Sequence, residues 1–211
     1  MSKKIHTIQS SENGQKDEER TYKDGKEDGL WTGWYENGQN EVEKTYKDGK
    51  IDGLMTYWYE NGQKSYEETY KDGKEIEKTS WSYYDNGQKK YEWNYKDGKE
   101  DGLWTGWYEN GQKEEEGTYK AGEWNGLWTW WYSNGQKKAE GTYKDGKRDG
   151  LWTGWYENGQ KEFEGSYTDG EKDGLHTKWY ENGQKRYEKT YKDGEIVEVI
   201  GMWNEDGSVI E

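Results

Sequence analysis

The sequence predicts an all-β protein, an elongated, twisted antiparallel β-sheet of repeated 24-residue β-hairpins. Three observations predict it. Asn-Gly recurs at Asn13, Asn37, Asn61, Asn86, Asn110, Asn134, Asn158 and Asn182, and Asp206-Gly207 continues the series; every step is 24 residues except one of 25. A second turn signal keeps the same beat at Asp24, Asp48, Asp72, Asp97, Ala121, Asp145, Asp169 and Asp193, each followed by Gly. Between the turns, as in Trp152-Thr153-Gly154-Trp155-Tyr156, large rings recur at fixed places. A fixed period of this length is the signature of a repeat array, and tight turns this closely spaced leave room only for short strands.

Each segment follows in order. Residues 1–22 form a polar N-terminal capping hairpin: Lys4 to Ser10 as a strand, Asn13-Gly14 as a tight turn, and Lys16 to Tyr22 as the return. Ser10-Ser11 stand where later units have Trp-Tyr, as expected where the end of an array faces water. Residues 23–194 carry the repeats. Asn-Gly favours a two-residue type I′ turn, because both central residues need φ > 0. That turn predicts the pairs Glu36–Gln39, Tyr35–Asn40, Trp34–Glu41, Gly33–Val42 and Trp31–Lys44. Asp48-Gly49 as a second such turn predicts Tyr46–Ile51 and Val42–Met55. One face then carries Trp31, Gly33, Tyr35, Val42 and Tyr46, and the other Leu30, Thr32, Trp34, Glu41, Glu43 and Thr45. Gly106 and Gly154 are expected to make room for a neighbouring ring or a bend. Around Lys74–Trp81 the second Asp-Gly is missing and one residue is added, which predicts a bulge or a longer turn. Residues 195–211 are more aliphatic and are expected to close the array as capping strands, the last running from Ser208 to Glu211. No Pro or linker interrupts the chain, so 1–211 is expected to be a single array, on the order of 75–80 Å long at ~4.8 Å per strand.

Composition narrows the class. Charged residues make up 36% of the chain and the mean hydropathy is −1.64, values that by themselves suggest disorder. The 15 Trp and 20 Tyr at fixed places argue for a folded sheet, since each ring buries roughly 150–250 Å². A net charge of −14 disfavours nucleic acid and anionic membrane and favours a basic partner, or simply solubility. There is no Cys, no N-terminal apolar run and no stretch approaching the roughly 20 apolar residues of a membrane helix, so the expected location is the cytoplasm.

Catalytic and metal chemistry find little support. Asp145-Gly146-Lys147-Arg148-Asp149-Gly150 has the look of a calcium loop, but Lys occupies a would-be ligand position and no bidentate Glu follows; paired turns are the better reading. His6 and His176 are far apart, and no spacing builds a zinc site or a nucleophile–base pair from them. No phosphate-cradling Gly loop is present. The expectation is therefore no catalysis, no cofactor and no metal.

Units such as Tyr143 to Lys161, with Asp-Gly-Lys-x-Asp-Gly-x-Trp followed by Trp-Tyr-x-Asn-Gly-Gln-Lys, resemble the MORN repeat in its bacterial variant form, across nearly all of residues 20–194. The resemblance implies hairpins in an antiparallel sheet and no enzyme activity. Bacterial proteins of this kind are commonly labelled YwqK-family antitoxins, which implies a cytoplasmic antitoxin or immunity protein that neutralises a cognate, basic protein toxin by direct binding. The residues expected to meet that partner are Trp34, Trp58, Trp107, Trp131, Trp155 and Trp179 as aromatic anchors, with Glu41, Glu43, Glu114 and Glu116 steering its approach. The alternatives are a surface adhesin or carbohydrate-binding module that uses the same rings, and an intracellular scaffold.

Overall fold

The computed structural model describes residues 3–12 and 14–210. They form eighteen β-strands and no helix, and the paired strands run antiparallel. Contacts divide the chain into two compact units, Met1–Ser82 with Glu92–Lys99, and Tyr83–Tyr91 with Glu100–Glu211. In the first unit, Lys4–Ser10 pairs with Lys16–Lys23, and pairing continues between sequence neighbours through Lys26–Trp34, Asn40–Lys47, Lys50–Trp58 and Lys64–Lys71 to Lys74–Tyr83. In the second, the same meander runs from Gly102–Trp107 through seven further strands to Glu195–Met202.

The Asn-Gly tips differ from the predicted type I′ turn. Gly38 N–H donates to the Tyr35 carbonyl (2.8 Å) and Tyr35 N–H to the Gln39 carbonyl (2.9 Å). Of the loop residues Glu36, Asn37 and Gly38, only Gly38 has positive φ, at 82°. This is a three-residue loop closed by a glycine in the left-handed region. Trp34 therefore pairs with Asn40, not Glu41, and Tyr35 faces Gln39. One step further in, Glu41 is left over as a bulge, and Gly33–Val42 and Trp31–Lys44 pair as predicted. The bulge cancels the offset of the longer loop. Asn13, of the expected Asn13-Gly14 turn, lies outside the described residues.

The Asp-Gly turns are the two-residue type. Asp48 (φ 52°) and Gly49 (φ 83°) connect Lys47 to Lys50, and Tyr46 pairs with Ile51 as predicted. The second Asp-Gly of the motif is not a turn. Asp52 and Gly53 (φ 121°) lie inside the strand Lys50–Trp58 as a bulge, which shifts the register by two so that Val42 meets Tyr57 instead of Met55. A shift of two preserves the faces, because side chains alternate with period two. Gly53 is needed both for its φ and because a Cβ there would stand 3.2 Å from Cβ of Thr45. In the divergent fourth unit the predicted bulge is present, reduced to one residue at Ile76 between the pairs Thr69–Glu77 and Tyr70–Glu75.

Each hairpin is bonded to the next at both ends. At the Asn-Gly end, Tyr35 O–H donates to the Trp58 carbonyl (2.6 Å), and Tyr84, Tyr108, Tyr132, Tyr156 and Tyr180 make the same bond to the Trp one repeat on; in the divergent unit Tyr59 instead reaches the Trp81 carbonyl, two residues before the equivalent position, at 3.4 Å. Asn37 adds a side-chain N–H to the Glu60 carbonyl (2.7 Å), while its own oxygen accepts from Gln39 N–H. At the Asp-Gly end, Gly73 N–H donates to the Ile51 carbonyl and the Asp52 carboxylate takes Lys71 and the Asp72 N–H.

The core lies on the face of Trp31, and the two units fill it differently. In the second unit Trp128 and Trp152 are 1% and 2% exposed, lying flat on Gly117 and Gly141 of the paired strand. Trp128 stacks on Trp124 at 4.1 Å, and Trp130 bridges to Trp152 at 5.6 Å. Gly106 and Gly154 make room for rings as predicted, for Trp104 and Phe163 respectively. In the first unit, charged side chains replace the glycines at Arg20, Lys44 and Glu68. Arg20 and Lys44 sit over Trp31 at 5.3 and 4.5 Å, and buried Glu68 accepts from Lys78 (2.8 Å) and Tyr70 (3.0 Å). At the C-terminal end, Ile196, Val197, Val199 and Ile200 all stay exposed. The expected last strand shrinks to the single bridge Trp203–Val209, with Glu211 outside the described residues.

Two outcomes follow from this packing. A Cβ at position 141 would overlap the Trp152 ring, whereas one at 106 would stand 3.0 Å from Trp104 and 3.3 Å from its other neighbours. Gly141→Ala is expected to cost about 1–3 kcal/mol in urea unfolding, and Gly106→Ala less. In the Trp column, His176 takes the place of Trp; it is buried over Gly165 with Nε2 donating to the Ser166 carbonyl at 2.7 Å. Burial holds its imidazole below the ordinary value of 6.5; the Ser166 bond opposes this shift and Lys172 adds to it. The unfolded chain therefore takes up a proton that the folded chain resists, so this contribution is complete above pH ~6.5 and is lost as pH falls through the folded value. Thermal melts of His176→Trp are expected to show a smaller loss of Tm between about pH 7.5 and pH 5.5 than the parent chain.

Candidate functional site

The face opposite the core carries three rows. Nearest the tips is the tryptophan row, Trp34, Trp58, Trp107, Trp131, Trp155 and Trp179, all half-buried. Five of these rings are covered by a lysine of the preceding repeat: Lys16 over Trp34 (5.4 Å), Lys89 over Trp107 (5.6 Å), Lys113 over Trp131 (5.9 Å), Lys137 over Trp155 (6.0 Å) and Lys161 over Trp179 (5.8 Å). Several of these lysines also hold the Glu three residues on, as in Lys113–Glu116, Lys137–Glu140 and Lys161–Glu164. Asn40 stands at the lysine position before Trp58, and its amide donates to Glu43 at 3.2 Å. Contacts of this kind at a surface are worth about 0.2–1 kcal/mol each, so a partner can displace them.

The middle row is Thr32, Thr56, Thr105, Thr129, Thr153 and Thr177, all buried beneath these side chains. Thr56 and Thr177 donate to Glu67 and Glu188 across the strand pair. The third row is Leu30 and Leu54 in the first unit and Leu103, Leu127, Leu151 and Leu175 in the second, between 47% and 59% exposed. Each leucine of the row presents an exposed isobutyl group to solvent. The sequence shows this column, but spacing alone does not reveal which face the sheet packs against, so the leucines were not among the expected contact residues.

The four glutamates divide. Glu43 and Glu116 lie on the tryptophan face, opposite Thr32 and Thr105, and are held by Asn40 and Lys113. Glu41 and Glu114 are the bulge residues and do not pair with Trp34 and Trp107 as expected. The bulge turns this position toward the tip tyrosines. Lys90, Lys138 and Arg186, at the same place in their repeats, sit 5.5, 5.7 and 5.6 Å from the rings of Tyr84, Tyr132 and Tyr180. Burial raises the pKa of Tyr35 and Tyr108, and the nearby charges of Glu41 and Glu114 add to the shift, keeping both hydroxyls as donors.

Among the described residues no group of three or more His, Cys, Asp or Glu side chains is placed to hold a metal ion. The arrangement is a surface that can dock a partner: an exposed apolar row beside displaceable Trp–Lys–Glu contacts.

Comparison with known proteins agrees with the geometry. No curated protein matches the chain. A family model described as the MORN repeat variant matches residues 27–48, 51–72, 82–97, 100–121, 124–145, 148–169 and 172–193. These seven matches follow the hairpin beat and cover most of the sequence, and the chain belongs to the MORN repeat variant family.

Proposed function

We propose that the chain is a non-catalytic, protein-binding repeat protein of the cytoplasm, and that its specific role is that of an antitoxin or immunity protein that neutralises a cognate protein toxin by direct binding. The observation that carries the binding reading is the leucine row. Leu103, Leu127, Leu151 and Leu175 repeat an exposed apolar side chain along one face of the second unit, flanked by half-covered tryptophans. A soluble surface keeps such a patch when something covers it. The net charge of −14 supports a basic partner, whose encounter the acidic field would accelerate. The step from binding to neutralisation rests on the resemblance of these repeats to those of antitoxin-labelled bacterial proteins.

The test is co-purification of the tagged chain from its native cells, followed by expression of each captured protein alone and together with this chain. A stoichiometric basic partner that is toxic alone and harmless in company supports the proposal; partners without toxicity sink the antitoxin role and leave the scaffold reading. Leu127→Lys with Leu151→Lys is expected to weaken the captured complex by about tenfold or more. Unfolding stability should stay within roughly 0.5 kcal/mol per site, since both side chains are exposed. Equal affinity in this variant would move the docking face elsewhere.

A further inference from the structure

The last hairpins of the second unit differ from the repeat in a way the leucine face does not explain. On the core face, an open cleft of about 420 Å³ is lined by Lys178, Arg186 and Lys189 together with Tyr180, Tyr187, Met202, Trp203 and Ile210. No carboxylate lines it, in a chain whose net charge is −14. The combination of three cations is particular to this repeat, although Arg186 has cationic equivalents in Lys90 and Lys138. The column of Lys178 otherwise holds Gly33, Tyr57, Ser82, Gly106, Trp130 and Gly154. The column of Lys189 holds Lys44, Glu68, Trp93, Gly117, Gly141 and Gly165, and no earlier repeat has a cation in all three places.

The rings hold these cations in place. Arg186 lies 5.6 Å from the Tyr180 ring and Lys189 5.0 Å from the Tyr187 ring. Neither has a carboxylate partner among the described residues. Lys178 has one, Glu162, at the long distance of 3.4 Å. The planar guanidinium of Arg186 carries an N–H edge that matches the two oxygens of a carboxylate or phosphate. Met202 and Ile210 supply an apolar wall beside the charges, while the Trp203 ring lies on the opposite face, over Gly201 and under Lys185; the volume falls in the range of small-molecule sites. A second cleft of about 230 Å³ shares Lys178 and Tyr187 and adds Arg148 and Lys172, so the positive field extends beyond the first.

We propose that this cleft binds a small organic anion with a planar body. Its carboxylate or phosphate is held by Arg186, Lys189 and Lys178, and its body lies against Tyr187, Met202 and Ile210. The site is independent of the leucine face, and its test does not need the protein partner.

The probe is phenyl phosphate, titrated into the isotope-labelled full chain while amide shifts are followed, with inorganic phosphate and phenol as parallel arms. Phenyl phosphate is expected to shift the amides around Lys178, Arg186–Lys189 and Met202–Trp203 saturably, and to bind more tightly than either part alone. Added salt should weaken it. Arg186→Gln with Lys189→Gln is expected to bind about tenfold or more weakly. The more disruptive Arg186→Glu with Lys189→Glu should abolish binding, with the spectrum of Gly102–Trp155 unchanged to show that the fold survives. Three results would overturn the proposal: no saturable shifts in the cleft, the same affinity in the Gln variant, or phenol or inorganic phosphate binding as tightly as phenyl phosphate.

Discussion

Each hairpin is held to the next by the hydroxyl of a tip tyrosine. The tip tyrosine donates to the carbonyl of a tryptophan one repeat further on, at 2.6 to 3.4 Å in all seven instances. The bond fixes much of the local sequence. The tyrosine reaches only if the loop that follows it has three residues, which requires Gly38 and its equivalents at positive φ. The longer loop in turn requires the bulge at Glu41 to return the strands to register. At the other end, Asp52 and Gly53 form the second bulge, and the carboxylate ties the strand to the next Asp-Gly turn. A repeat bonded at both ends to its neighbour gains stability mainly from that neighbour, as in other arrays.

A sheet one layer thick must make its core out of one face. In the second unit, large rings close down on glycines of the paired strand, and Trp128 and Trp152 reach the exposure of a globular core. The first unit reaches a similar end with ions, placing Arg20 and Lys44 on Trp31 and burying Glu68 between Lys78 and Tyr70. Burying an ion pair has a desolvation cost that rings on glycine avoid. Both solutions leave the opposite face without a layer over it, and the leucine row stays exposed there in each unit.

Charge is distributed with equal economy. Most lysines near the tips are committed to a tryptophan face and a glutamate, so they contribute little free positive field. The excess of carboxylates then gives the molecule its acidic character. Against that background, Arg186 and Lys189 are exceptions, held by rings alone in a cleft without carboxylates. A protein-docking face and an anion-binding cleft can share one short repeat because they use opposite faces of the strands.

The sequence by itself determined the period, the strand order and most of the pairing. Asn-Gly and Asp-Gly permit few backbone conformations, and alternation with period two leaves no freedom in the choice of face. Gly33–Val42, Trp31–Lys44, Tyr46–Ile51 and the ring-admitting role of Gly154 were all legible in this way. The bulges were not. A three-residue loop followed by a one-residue bulge gives the same register beyond Gly33 as a two-residue turn, so no pattern of side chains distinguishes them. The shift of two at Asp52-Gly53 conserves the faces and is equally silent. Tertiary structure alone decided that Glu41 and Glu114 turn to the tyrosines, that lysines cover the tryptophans, and that the leucines stay exposed. Those outcomes depend on which face the rings can close upon, and that is set by contacts between strands whose relative positions the bulges control.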